Sequence, residues 1–97
     1  VTRLELSRAA DADLAAILEY GISAFGSEIA EAYFLSFEQA FDLIRHHPRI
    51  GAVVDAVGPP IRALPHRSHR ILYDVFEDHV VVQRVLHMAM DVERWLG

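Results

Sequence analysis

The stretch that decides the fold is SHRILYDVFEDHVVVQRVLH, residues 68–87. SHRILYDVF and HVVVQRVLH alternate in character with a period of two and are rich in Val, Ile, Leu and Tyr, so each reads as a strand. Glu77 and Asp78 between them make a turn, and the two runs predict an antiparallel hairpin. With those residues at the turn, Phe76 opposes His79 and Ser68 opposes His87. That register sets Ser68, Arg70, Leu72, Asp74, Gln83 and His87 on one sheet face, and His69, Ile71, Tyr73, Val75, Val80, Val82, Arg84 and Leu86 on the other. The second set is mostly apolar and predicts the packed face, leaving Arg70, Gln83 and His87 clustered on a partly open one with Asp74 farther along. A slip of one residue reverses the assignment. His69 and Arg84, placed on the packed face, are expected to be an imidazole bonded to backbone and an arginine paired with a helix carboxylate.

Working outward, IRALP at 61–65 has the same period and predicts another strand, set off by the Gly58-Pro59-Pro60 break. RIGAVVDAVGPP, residues 49–60, reads as an irregular connection. Before it the period changes to three and four. Ile29, Tyr33, Phe37, Ala40, Phe41 and Ile44 mark one face of a helix that opens at Ser27 and stops at Pro48, with Arg45, His46 and His47 in a last turn that favours positive charge. Adjacent helical residues point about 100° apart, so His46 and His47 read as helix-end groups rather than a metal pair. Ala10, Leu14, Ile17, Leu18, Gly21, Ile22 and Phe25 mark an earlier helix, capped by Ser7, with Asp11 and Asp13 in its first turns and a break at Gly26. Two helices so closely joined fold back as an antiparallel hairpin. RLELS at 3–7 predicts a short strand, and DVERWL at 91–96, with Asp91 in a capping position, a short C-terminal helix. The fold class is α+β: one domain over residues 1–97, with an N-terminal strand, a helical hairpin packed on a small, mainly antiparallel sheet, and a short C-terminal helix.

Composition narrows the function. The chain has no cysteine, which excludes disulfides, thiolate metal sites and a cysteine nucleophile and suits a reducing, cytoplasmic setting. No apolar run approaches the roughly 20 residues of a membrane helix, and the N-terminal residues do not read as a signal peptide. Formal net charge is −5 and lysine is absent. Residues 1–48 hold three arginines against eight carboxylates, whereas residues 49–97 hold six of each. Such a balance argues against direct nucleic-acid binding, which gains its affinity by neutralising phosphates. Yet Arg62, Arg67 and Arg70, with His66 and His69, occupy a stretch without a carboxylate between Ile61 and Tyr73. A protein partner is the natural counterpart of that patch.

Several motifs, taken in order, resemble a known family. A Ser68-His69 pair opens a strand ending Tyr73-Asp74-Val75, a second strand ends Arg84-Val85-Leu86-His87, and Met90-Asp91-Val92 leads into the last segment. LSRAADADLAAILEY, the Phe25-Gly26 junction and a helix ending HPRIG complete the series over nearly the whole chain. This order is similar to that of the ParE toxins of the RelE/ParE superfamily. The resemblance implies a type II toxin–antitoxin module in which the toxin poisons DNA gyrase and blocks replication. It also implies a tightly bound ParD-like antitoxin as partner, with DNA contacted only through the antitoxin, no membrane, no cofactor and no metal. The candidate antitoxin- or target-binding residues are Arg62, Arg67, Arg70, His87, Met90, Arg94 and Trp95, with Phe34 and Leu35 beside the main stripe of the second helix. Exposed apolar surface on the two helices would suit an amphipathic helix of the antitoxin.

The other branch of the superfamily, the RelE-type ribosome-dependent mRNA endoribonucleases, offers the enzymatic alternative. Such cleavage needs a base, an acid and positive charge on the phosphate. Arg70 with His87 could hold a phosphate and shuttle a proton, but a single histidine leaves the second acid or base unsupplied, and Tyr20, Tyr33 and Tyr73 all lie outside the C-terminal helix. No catalytic residue is assigned. A third reading, a non-toxic antitoxin-binding co-repressor, is not separated from the first by any residue.

Overall fold

The computed structural model describes residues 1–54 and 60–90. Its elements are β1 (Arg3–Leu6), α1 (Arg8–Phe25), α2 (Ser27–His46), β2 (Ala52–Val54), β3 (Ile61–His66), β4 (His69–Val75) and β5 (His79–His87). The strands form one five-stranded sheet in the order β1-β5-β4-β3-β2. The β5–β4, β4–β3 and β3–β2 pairs are antiparallel, and β1 runs parallel to β5. The architecture is the expected α+β one, with a helical hairpin across one sheet face. The short C-terminal helix expected over 91–96, with Arg94 and Trp95, lies outside the described residues.

Ser7 joins the first strand to the first helix. Its N–H donates to the Val82 carbonyl at 2.9 Å as the last rung beside β5. Its hydroxyl donates to the Gln83 carbonyl at 2.8 Å and accepts from the Ala10 N–H at 3.0 Å, capping α1. The two helices are separated by Gly26 alone, at φ 89°, a left-handed value that a Cβ would oppose. Gly21 lets them approach, since a Cβ there would stand 3.0 Å from that of Ala30. The stripe of α2 packs as the sequence predicts from Tyr33 onward, whereas Ile29, expected on the same face, is exposed: Phe37, Phe41 and Ile44 meet Leu14 of α1 and Ile71, Tyr73, Val80, Val82 and Val85 of the sheet. Each such large side chain contributes about 2 to 3 kcal/mol by leaving water.

Three expectations are corrected. The stretch at 49–60 is not wholly irregular, because Ala52–Val54 pairs with β3 as the outer strand β2; three residues are too few to show a period. The hairpin register holds near the turn, where Tyr73 opposes Val82 and Val75 opposes Val80, but shifts beyond a bulge so that Leu72 opposes Arg84 and His69 opposes His87. One extra residue in β5 therefore exchanges the roles of Leu86 and His87. His87 stands with His69, and Leu86 joins Leu72, Ile61, Ala63 and Val54 in a second apolar cluster on the opposite face. That face, expected to be partly open, buries Leu72 and Leu86 almost completely.

The bulge is stabilised from α1. The Val85 N–H donates to Asp13 Oδ2 at 2.9 Å, and Arg84 donates Nε and Nη2 to the two oxygens of the same carboxylate at 2.8 Å each. Arg84 thus has the helix carboxylate the sequence called for, and its guanidinium is held charged by the Asp13 hydrogen bonds.

Candidate functional site at the tip of the strand hairpin

The β3–β4 turn is made by Arg67 and Ser68, with His66 opposing His69. Arg67 takes φ 52°, the left-handed conformation that fits a two-residue turn to the twist of its strands. Tyr33 of α2 reaches this turn. Its hydroxyl accepts from the Ser68 N–H at 3.2 Å and lies 2.7 Å from His69 Nδ1. The phenolic oxygen thus takes part in both contacts and ties the turn to α2 through Ser68 and His69. Ser36, one turn along α2, donates to the Tyr33 carbonyl and stands 2.8 Å from His66 Nε2, so His66 must be the donor in that contact.

The third histidine closes the group. The rings of His69 and His87 meet edge to face at 5.3 Å, and His87 Nδ1 accepts from the Ala89 N–H at 3.1 Å. Phe37 packs 4.6 Å from the His66 ring, and the Arg67 guanidinium stands 5.8 Å above Tyr33. Burial holds His66 and His69 below the ordinary imidazole range; Arg67 adds to the first, and His87 and His66 to the second. His69 was expected to bond backbone, and the side chain of Tyr33 takes that role instead.

Beside the histidines, Arg70 approaches Met88, with Nε 3.5 Å from its sulfur and Nη2 3.5 Å from its carbonyl. The Met90 N–H donates to the His87 carbonyl at 2.9 Å. Met90, His87 and His69 then line, with Ile17 and Tyr20 of α1, a groove of about 450 Å³. Arg67, Arg70, His87 and Met90 are brought to one end of the sheet, but Arg70 opposes Leu86 and so lies on the face opposite His87, and the expected cluster of Arg70, Gln83 and His87 does not form. Arg62 is not among them. It sits at the other end of β3, where Nη1 donates to the Arg49 carbonyl at 3.1 Å and the Gly51 carbonyl at 2.8 Å and fastens the segment between α2 and β2.

A second surface lies on the helices. Phe34 and Leu35 border a groove of about 280 Å³ between α1 and α2, with Ala15 and Leu18 opposite and Asp11 and Glu38 at its rim. Leu35 is 64% exposed, and Tyr20, Phe25 and Ile29 toward the Gly26 end of the hairpin are comparably open. This is the unpartnered apolar surface that the helix sequences predict. Among the described residues no group of three His, Asp or Glu side chains has metal-binding geometry, and no helix is long and apolar enough to cross a membrane.

Residues 4–92 match the family described as ParE toxin of type II toxin-antitoxin system, parDE. The chain belongs to the ParE toxin family. It is similar to the curated Toxin ParE1 of two Mycobacterium tuberculosis strains, CDC 1551 / Oshkosh and ATCC 25618 / H37Rv, with 38% identity over 94 residues and 96% of each chain covered. Among solved structures it is similar to a chain of the chromosomal ParDE TA system from P. aeruginosa, with a TM-score of 0.77 over 89% of this chain and 95% of that one. At 20% identity that likeness speaks for the fold.

In this ParE toxin the candidate residues have neighbours that the sequence does not mark. Tyr33 was counted in the apolar stripe and Ser36 was not singled out, although a Tyr and a Ser three apart on one helix face can reach a single turn. Asp13 was read as a helix-dipole residue, and only its partner Arg84 was expected to seek a helix carboxylate. Nothing in the spacing of His66, His69 and His87 signals their meeting, because the bulge that brings His87 to their face has no mark in the sequence.

Proposed function

We propose that this ParE toxin acts by protein docking: it poisons DNA gyrase in the cytoplasm and is neutralised by a tightly bound ParD-like antitoxin. The observation that carries the docking reading is the combination of an arginine-bearing hairpin tip with an open apolar groove on the helices. His69 Nδ1, His66 Nε2 and His87 Nδ1 each hold an intramolecular hydrogen bond to Tyr33, Ser36 and Ala89. Each ring keeps its second nitrogen, so these contacts orient the imidazoles without deciding for or against proton transfer. Arg67 and Arg70 beside them, and the apolar helix groove, are features of recognition surfaces, where arginine and exposed apolar anchors concentrate.

The test is a gyrase supercoiling and cleavage assay with purified toxin, with and without antitoxin, run beside a ribosome-dependent mRNA cleavage assay on the same preparation. Lost supercoiling or trapped cleavage complexes, reversed by antitoxin and without mRNA cuts, is the expected result. Codon-phased mRNA cuts with gyrase untouched would replace this reading with the RelE-type nuclease and make Arg70 and His87 the first residues to substitute. Antitoxin binding with silence in both assays would leave a non-toxic co-repressor.

A further inference from the structure

The segment that joins α2 to β2, residues 47–51, is exposed at Arg49 and Ile50 and yet tied down at nearly every step. The Ile50 N–H donates to the His47 carbonyl at 3.0 Å. Arg62 Nη1 donates to the Arg49 and Gly51 carbonyls, and the Gly51 N–H donates to the hydroxyl of the fully buried Tyr73. The Arg49 side chain takes no part in this. It is exposed, and among the described residues it has no carboxylate partner.

Around it lies an apolar surface that belongs neither to the hairpin tip nor to the groove between α1 and α2. Leu43 near the end of α2, Ile50, and Val75 and Phe76 at the end of β4 line one broad cleft, and each is between 37% and 48% exposed. Arg49 and Val75 also line a second cleft with Val53 and Arg62, so the two are continuous. Large apolar side chains gathered from three stretches of chain exceed the single exposures of an ordinary surface. The tip is far away: Phe76 and His69 are seven residues apart, about 23 Å along extended chain.

Charge says what this surface takes. The chain has formal net charge −5, but among the described residues the two clefts are lined by Arg49, Arg62, His46 and His47 against one carboxylate, Glu77. An unpaired arginine beside an exposed aromatic ring and aliphatic side chains is the composition of an interface core, where such residues concentrate the affinity. The hydrogen bonds on Arg49 and Gly51 fix that arginine's backbone before a partner arrives, which lowers the entropy lost on binding. A nucleic-acid backbone would match Arg49 but leave Leu43, Ile50 and Phe76 without apolar contacts. A protein segment with a carboxylate among apolar residues matches both.

We infer, resting on the proposed reading of gyrase as target, that this cleft holds the target: an apolar segment of the target protein packs on Leu43, Ile50 and Phe76 and sets a carboxylate against Arg49. The helix groove suits an amphipathic antitoxin helix, which leaves this cleft to the toxin's other partner. Target and antitoxin therefore meet different parts of the toxin.

The test compares wild type, Arg49→Glu and Phe76→Asp in the gyrase supercoiling assay and in calorimetric titration with the ParD-like antitoxin. Thermal melts establish that each variant folds. Both variants are expected to require about tenfold more toxin for half-inhibition of gyrase, with antitoxin affinity as in wild type. Arg49→Glu removes no ion pair of the described fold, so it decides alone if Phe76→Asp does not fold. Inhibition by Arg49→Glu at the wild-type concentration would overturn the inference and leave the gyrase reading standing. Antitoxin binding weakened as much as gyrase inhibition would also overturn it, by making the cleft an antitoxin contact. Retention of wild-type toxin on DNA without gyrase, lost in Arg49→Glu, would overturn it in favour of a phosphate ligand. A wild type that leaves gyrase untouched would overturn the gyrase reading and this inference together.

Discussion

Asp13 satisfies three donors from another element, Arg84 Nε and Nη2 and the Val85 N–H, and its side chain is only 15% exposed. Asp13→Ala would remove two hydrogen bonds from the Arg84 guanidinium and the acceptor of the Val85 N–H, and a loss of about 1 to 3 kcal/mol is expected in urea unfolding. A loss under 1 kcal/mol would show that the bulge holds itself. Gly51 tests a different constraint. A Cβ there would stand 2.7 Å from the Tyr73 hydroxyl, which accepts the Gly51 N–H at 2.8 Å. Gly51→Ala is expected to cost about 1 to 3 kcal/mol by overpacking, with Tyr73→Phe in the same background recovering part of it because the obstructing oxygen is gone. Arg67 should separate folding from docking. Arg67→Gly relieves the left-handed backbone and should leave stability unchanged or raised by up to about 1 kcal/mol, while antitoxin or target binding weakens. Weakened binding with a large loss of stability would instead make Arg67 a structural residue.

At the scale of elements, the β3–β4 hairpin is clipped to α2 through Tyr33 and Ser36, and burial of the two imidazoles they contact favours the neutral rings. His66 and His69 are both held below their ordinary value by burial. The unfolded chain therefore binds their protons more readily, so stability is intact above the unfolded value of about 6.5 and falls as the pH drops below it toward the folded values. The melting temperature should decline between pH 7 and pH 5, ahead of carboxylate titration, and the decline should shrink in His66→Gln/His69→Gln. A flat profile over that window would mean that the two rings accept protons without disturbing the clip. Elements with a clear period were legible in the sequence: both helices, the Ser7 cap, the Gly26 break and β5 from His79 to His87 all stand where residue spacing put them. β2 and the bulge were not. Ala52–Val54 is too short to carry a period, and an inserted residue leaves the alternation of HVVVQRVLH looking regular while it turns His87 over.

For the whole molecule, the legible part was the packing of helices on the sheet, because hydrophobic periodicity reports which faces leave water. The proposed docking surfaces were only half legible. Phe34 and Leu35 were visible as apolar residues beyond the stripe, and the arginine patch as a run of one sign. That Arg62 would fasten backbone carbonyls while Arg67 and Arg70 stayed at the tip depends on strand direction, which separates residues five apart on an extended strand by about 16 Å. One feature of the topology bears on how the protein is made. β1 pairs through residues 3–6 with residues 79–82 of β5. During synthesis the strand that leaves the ribosome first has no neighbour until the last described strand has followed it, so the sheet cannot close on a partial chain. A chain that stops short of residue 79 therefore leaves β1 with no strand to pair with, and only longer chains can complete the sheet.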